Sequence, residues 1–257
     1  MPKITAIIPA KNEAKNIAEA IAAVKWADEI IVIDSFSTDE TVAIAQGFAE
    51  VKVLQRIFDT HARQKNWAIA QAANPWIFVL DADERVPPEL EQEIKLLLQT
   101  EPPNVAYWIS RQTYFMDKPV RYSGWQNDKV IRLFRKDCRY AEVHVHEEIA
   151  AAGPVGQLKH KLVHYTYTTI AQYLEKWDRY TTLSAKDRGR KTKEVTLYHL
   201  ALKPAVRFLR HYVLKLGFLD GKVGFIISYM AAVSVFMRYL KLWRFAEEGE
   251  EKAKLNG

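Results

Sequence analysis

The sequence predicts an α/β fold, a mixed sheet flanked by helices, followed by a basic amphipathic helical region at the C-terminus. Three observations carry that prediction. Strand-length apolar runs alternate with helix-period segments over the first hundred residues. Two of those runs end in aspartate. Charge also divides the 257 residues, of which 49% are apolar. Residues 1–150 hold 18 basic and 22 acidic side chains, a net of −4, and residues 151–245 hold 17 and 5, a net of +12.

Taken in order, 4–9 (ITAIIP) reads as a strand ending at proline, and 14–26 as a helix with Ile17, Ile21 and Val24 on one face. The run 29–34 (EIIVID) is a second strand, and Ser37-Thr38-Asp39 opens the helix at 41–45. A third strand, 51–55, precedes a helix over 61–73. The fourth strand, 76–80 (WIFVL), runs into Asp81-Ala82-Asp83-Glu84, and Pro87-Pro88 starts a helix to about 98. This order implies parallel strands covered on both faces, with ligands bound beyond their carboxyl ends, where Pro9, Asp34 and Asp81 sit. Runs at 105–110, 130–134, 141–145 and 162–167 read as strands of an antiparallel or mixed extension, and 114–125 as a long Tyr/Trp-rich loop. No Gly-rich dinucleotide or Walker-type loop follows any strand. The single cysteine, Cys138, excludes an internal disulfide framework and a cysteine zinc site. The first ten residues turn polar too soon for a secretory signal.

Asp81 and Asp83 are the chemical centre. Alternate residues of an extended segment point the same way, so both carboxylates can face one site. Hard oxygen ligands in that position suit Mg²⁺ or Mn²⁺ held jointly with substrate phosphates. The alternative is ordinary strand-end charge or helix capping by Asp83 or Glu84.

IIPAKNEAKNI, IIVIDSFSTDET, RQKNWAIAQA and WIFVLDADERV, in that order, resemble the nucleotide-sugar-binding half of family 2 glycosyltransferases, which have the GT-A fold. GWQNDKVIRLFRKDCRYAEVHVHEE and KPAVRFLRHYVLKLGFLDGKVGF resemble the subgroup associated with lipopolysaccharide core biosynthesis. The resemblance implies that Pro9, Ala10, Asn12 and Glu13 cup the nucleotide base and ribose. It implies that Asp34 accepts from a uracil imide, and that Lys65 and Asn66 lie near the diphosphate and sugar. Lys65 stands where many members have Arg, which loses the bidentate fork. Asp83 is the implied metal ligand, and Asp81 a sugar or ribose contact or second ligand. His164 is the implied late histidine near the metal, with a buried structural histidine as its alternative. In the segment 144–148 the resemblance implies Glu147 as the base that deprotonates the acceptor hydroxyl, with Glu148 the alternative. His144 and His146 lie two apart but lack a third soft ligand. Arg132 and Arg135 read as phosphate clamps or as surface charge.

From 197 to 244, Lys and Arg alternate with aliphatic and aromatic residues, the pattern of a helix lying in an anionic membrane interface. The apolar run 224–237 is too short by itself to span a bilayer. The same pattern fits a helical subdomain packed on the catalytic half or on a second copy of the chain, a homo-oligomer. No motif supports nucleic-acid binding. The expectation is therefore a catalytic domain over 1–168 (donor half 1–100, acceptor half 101–168) and a helical, membrane-associating region over 169–257. The implied activity is inverting, metal-dependent transfer of a hexose from a UDP-sugar to a lipid-linked or lipopolysaccharide-core acceptor. It would take place peripherally, on the cytoplasmic face of the membrane. A nucleotidyltransferase on the same sheet and a non-catalytic membrane module are the rival readings.

Overall fold

The computed structural model describes residues 2–141, 149–167, 169–189, 192 and 194–255, the side chains beyond 247 excepted. The first hundred residues form β1 (Ile4–Ala10), α1 (Ile17–Ala22), β2 (Glu29–Asp34), α2 (Thr41–Gln46), β3 (Val51–Gln55), α3 (His61–Gln71), β4 (Trp76–Val79), β5 (Glu84–Arg85) and α4 (Pro88–Leu97). Next come β6 (Ala106–Phe115), β7 (Lys118–Val120), β8 (Lys129–Arg135), β9 (Arg139–Tyr140), β10 (Ile149–Ala150), β11 (Val155–Gln157) and β12 (Leu162–Tyr167). The helices α5 (Ile170–Gly189), α6 (Lys203–Leu209) and α7 (Gly221–Leu255) follow. The strand expected over 141–145 lies almost wholly outside the described residues.

The sheet runs β3-β2-β1-β4-β8-β6-β12-β5, with β11 and β7 beside β6. Strands β1 to β4 pair in parallel, whereas β8 is antiparallel to both β4 and β6. The apolar runs are continuous because both faces are covered. Ile8, Val32 and Phe78 pack in a core on one face, Ile7, Ile31 and Ile77 in a core on the other, and all six are fully buried. Pro9 lies inside β1 rather than ending it. Its neighbour β4 stops pairing at Ile7↔Val79, so no ladder bond is lost where Pro9 lacks an N–H.

The described chain forms two compact units, Met1–Gln112 with Asp128–His164, and Thr113–Asn127 with Tyr165–Gly257. The division therefore differs from a single cut at 168. Part of the segment read as a loop is a hairpin of the second unit, turning on Met116 and Asp117, both at positive φ, with Phe115 paired to Lys118. Phe115 packs edge-on against Tyr167 and Tyr173, which explains why that hairpin belongs with the helices.

Within the second unit, π-helical turns at Tyr198–Leu202 and Arg210–Leu214 flank α6. The chain then turns through Leu216 and Gly221, both at positive φ, into α7. The Asp220 carboxylate fixes this corner by accepting from the backbone N–H groups of Arg121 and Tyr122 at 3.1 and 2.9 Å. A Cβ on Gly224 would fall 1.8 Å from the Gly217 carbonyl oxygen, so glycine is required for that approach. The apolar run at 224–237 belongs to a longer helical stretch, Gly217–Glu247, 31 residues that are long and apolar enough to cross a membrane by length and composition. That amends the expectation that the segment is too short.

Candidate active site

The carboxyl ends of β1, β2 and β4 meet at one edge of the first unit. The loops after β1 and β2 brace each other. Asn12, at φ 57°, accepts from Thr38 N–H at 2.8 Å and donates its own N–H to Ser37 Oγ at 2.8 Å. Glu13 N–H donates to Thr41 Oγ1 at 2.8 Å, and the Glu13 carboxylate accepts from Asn16. These contacts fix the backbone around Ala10 and Asn12, where a nucleotide is expected to lie. Asp34 is fully buried, and its carboxylate accepts from Ser37 N–H, Ser37 Oγ and Gln55 Nε2. As it stands, Asp34 anchors the turn that follows it, and a base could reach it only if Ser37 let go.

The sequence after β4 folds back on itself. Asp81 N–H donates to Glu84 Oε2 at 3.0 Å, and Glu84 N–H donates to the Asp81 carbonyl at 2.9 Å. This tight turn points the two aspartates into different surroundings. Arg132 Nη2 donates to Asp81 Oδ2 and, at 2.7 Å, to the fully buried Glu84 Oε1. Arg111 adds a 3.3 Å contact to Glu84 and a forked pair of bonds to Asp128 at 2.9 and 2.8 Å. Lys65 Nζ lies 3.9 Å from Asp81 Oδ1 and over the Tyr140 ring.

Burial would raise the Asp81 pKa, but the Arg132 and Lys65 charges outweigh it and hold this carboxyl well below the usual range. Burial likewise works against the Arg132 charge, and Asp81 and Glu84 overcome it, so its pKa lies well above the ordinary value. Arg132 Nε remains buried with no hydrogen-bond partner among the described residues.

Asp83 takes no part in that network. Its Oδ2 lies 3.6 Å from His164 Nε2, with 24% and 12% of the two side chains exposed. The antiparallel pairing of β5 with β12 at His164↔Glu84 brings them together. Two ligands of one Mg²⁺-sized ion sit about 3 Å apart when adjacent and about 4.2 Å when opposite. At 3.6 Å the Asp83–His164 pair is about 0.6 Å wider than adjacent ligands, so a small side-chain closure would bring both onto one ion, and oxygen with imidazole nitrogen is a donor set that Mn²⁺ accepts. The residues thus fit a divalent cation whose remaining ligands come from a diphosphate and water. Among the described residues no cluster of three or more His, Cys, Asp or Glu forms a closed cage.

Other expected residues fare differently. Asn66 is spent on β9, donating to the Tyr140 carbonyl at 2.9 Å and accepting from its N–H at 2.8 Å. Arg135 is not in the site. It pairs with Trp76 at the amino end of β4, is half exposed, and lies 3.9 Å from Asp137. The reason is strand geometry: residues three apart point to opposite faces, so Arg132 and Arg135 cannot clamp one group. Glu147 and Glu148 lie outside the described residues. Sequence reasoning missed Arg111, Asp128 and the bridging role of Glu84. Their only signal was charge next to the strand-like runs 76–80, 105–110 and 130–134.

Residues 5–153 match the family described as Glycosyl transferase family 2. An uncharacterized glycosyltransferase of Rickettsia felis is 32% identical, the match covering 94% of this chain and 90% of that one. The lipopolysaccharide core biosynthesis glycosyltransferase LpsC of Rhizobium meliloti is 27% identical over 93% of this chain and 94% of its own. Among solved structures, the mannosyltransferase PcManGT of Pyrobaculum calidifontis, in complex with GDP-Man and Mn²⁺, superposes with a TM-score of 0.56 at 16% identity. That match covers 94% of this chain and 87% of the mannosyltransferase. The fold is GT-A, and the chain belongs to glycosyl transferase family 2 as a glycosyltransferase.

Proposed function

We propose that the chain is an inverting, divalent-metal-dependent hexosyltransferase that uses a UDP-sugar and acts on a lipid-linked or lipopolysaccharide-core acceptor. The observation that carries this reading is the split of the two aspartates: Asp81 is neutralised by Arg132 and Lys65, while Asp83 faces His164. Asp83 and His164 are the residues that would hold Mg²⁺ or Mn²⁺, which when bound supplies charge neutralisation for the departing diphosphate. Asp81, fixed as an anion, accepts from a donor sugar or ribose hydroxyl. Lys65 offers its charge to a phosphate oxygen as a point cation. The loop from Pro9 to Glu13 receives the base and ribose, and Asp34 meets a uracil imide on release of Ser37.

The acceptor oxygen attacks the anomeric carbon from the face opposite the leaving group. One C–O bond forms as the bond to the diphosphate breaks, and the hydroxyl proton passes to Glu147, with Glu148 the alternative base. Glu147 is assigned on sequence alone. The likeness to LpsC supports the lipopolysaccharide-core acceptor, and the Mn²⁺ and GDP-Man of the mannosyltransferase support a metal-assisted nucleotide-sugar reaction.

The second unit is read as lying on the anionic cytoplasmic face of the membrane rather than spanning it. α7 is tied to its own unit by Lys241 Nζ, which bonds Asp178 Oδ1 at 2.7 Å, and by Tyr239, which accepts from Lys203 at 2.8 Å. The same helix exposes Phe225, Ile226, Tyr229, Phe236 and Trp243. A helix held to its own unit by polar contacts while exposing several large apolar side chains suits an interface. A screen of nucleotide sugars with Mg²⁺ or Mn²⁺, detecting the released nucleotide, tests the reaction. Release of UDP from a UDP-hexose supports it, and release of pyrophosphate from a nucleoside triphosphate with a sugar phosphate would replace it with nucleotidyl transfer.

A further inference from the structure

Three helical segments of the second unit place side chains at one-turn spacing around a cavity of about 240 Å³. From α5 come Tyr173, Trp177 and Tyr180, at positions i, i+4 and i+7 of one face. Arg207 of α6 and His211 of the following turn are four apart, and Arg238 enters from α7. Among the described residues no acidic side chain lines the cavity. Trp177 Nε1 donates to Ser234 Oγ at 2.5 Å, and Ser234 Oγ donates to the Met230 carbonyl at 2.7 Å, so the indole wall is held in place before any ligand arrives.

Part of the polar lining is unsatisfied, and its charged groups are all basic. His211 is 6% exposed; the Ser123 backbone lies beside its ring, and neither ring nitrogen makes a well-formed hydrogen bond among the described residues. The same holds for the buried Arg238 Nε. Burial, and then Arg210, lowers the Arg207 pKa; burial, and then Arg188, lowers that of Arg238. Burying Arg238 Nε and the His211 ring without a counter-charge is costly, and Arg207, more exposed, adds a second guanidinium at the cavity's edge. An anion with several acceptor oxygens relieves that cost, and guanidinium forks match phosphate oxygens. The aromatic walls add flat apolar faces of the kind that pack against the C–H face of a pyranose, and the volume suits one monosaccharide rather than a nucleotide.

We propose that this cavity binds a phosphorylated sugar, with Arg207, Arg238 and His211 on the phosphate and Tyr173, Trp177 and Tyr180 against the ring. The phosphorylated sugar is the anionic saccharide of the acceptor, an assignment that rests on the proposed transfer to a lipid-linked or lipopolysaccharide-core acceptor.

The test is calorimetric titration of the full chain, without donor or divalent cation, using glucose 6-phosphate, glucose, inorganic phosphate and monomeric short-chain phosphatidic acid. Glucose 6-phosphate should bind at least about tenfold tighter than each of the other three. Arg238→Gln should weaken it about tenfold or more. Tyr180 is 57% exposed, so Tyr180→Ala leaves the fold intact, as its unchanged thermal midpoint will show. That variant should weaken glucose 6-phosphate while leaving inorganic phosphate unchanged. Equal binding of phosphate and glucose 6-phosphate, tighter binding of phosphatidic acid, or no binding at millimolar concentration overturns the proposal. Wild-type UDP release is measured in parallel. Its absence beside intact glucose 6-phosphate binding sinks the transferase reading alone, and the converse sinks the cavity alone.

Discussion

His164 Nε2 stands 3.6 Å from Asp83 Oδ2, although 81 residues separate them in sequence. The contact exists because β5, only two residues long, pairs antiparallel with β12. Asp81, two residues before Asp83, is instead bound by Arg132 and approached by Lys65. Two carboxylates that sit two residues apart are thus one neutralised anion and one carboxylate with a histidine partner.

Arg132→Met should destabilise the first unit by about 3–5 kcal/mol, because it leaves Asp81 and the fully buried Glu84 without their shared cation. Arg135→Gln, at a half-exposed side chain near Asp137, should stay within about 0.5 kcal/mol. Urea denaturation of the two variants measures both. Equal losses would contradict the assignment of only one of these arginines to the site.

The His211 pKa is pushed down to about 4, by burial first and then by Arg207 and Lys215, with Arg210 adding to the effect. The unfolded chain takes up that proton near pH 6.5 and the folded chain only near pH 4, so stability is full above this window and falls as pH drops through it. The loss should reach about 3 kcal/mol at most. Urea denaturation between pH 7 and 4 should show a shallower slope for His211→Asn; an identical slope would contradict the assignment.

Glu147→Gln keeps the side-chain shape and removes its basicity. It should lower kcat by about two to four orders of magnitude while UDP-sugar affinity stays within a few-fold. If Glu148→Gln shows that loss and Glu147→Gln does not, the base is the next residue.

Membrane association should need both charge and apolar contact, since the basic side chains act through a salt-screened field and the exposed aromatic and aliphatic ones do not. Co-sedimentation with anionic vesicles should exceed that with zwitterionic ones, and high salt should release only part of the protein. A discrete oligomer left in the supernatant at moderate salt would make the exposed face of α7 a subunit contact.

The parallel half of the fold was legible because its strands are buried on both faces. ITAIIP, EIIVID and WIFVL can then be apolar throughout, and each is followed by a helix-period segment. The hairpin at Met116-Asp117 was not legible, since that dipeptide lacks the Asn-Gly or Asp-Gly signature of a two-residue turn. Asp81 and Asp83 could be picked out by position and type, whereas His164 was singled out only through the family resemblance and Arg132 only as a phosphate clamp or surface charge, not as the partner of Asp81 and Glu84. The commitment of Asn66 to the Tyr140 backbone, and of Glu84 to two arginines, depends on contacts between residues dozens of positions apart. Local pattern carries no trace of such contacts.

The central claim is that Asp83 and His164 hold the cation on which donor cleavage depends. UDP release from the preferred UDP-hexose, followed against Mn²⁺ concentration, tests it most directly. The wild type should be active with Mn²⁺ and silent in chelator. His164→Ala should need about tenfold or more Mn²⁺ for half-maximal rate, and Asp83→Ala should release no UDP at any Mn²⁺ concentration while keeping its thermal midpoint. Undiminished release in chelator, or a wild-type Mn²⁺ dependence in Asp83→Ala, would contradict the account.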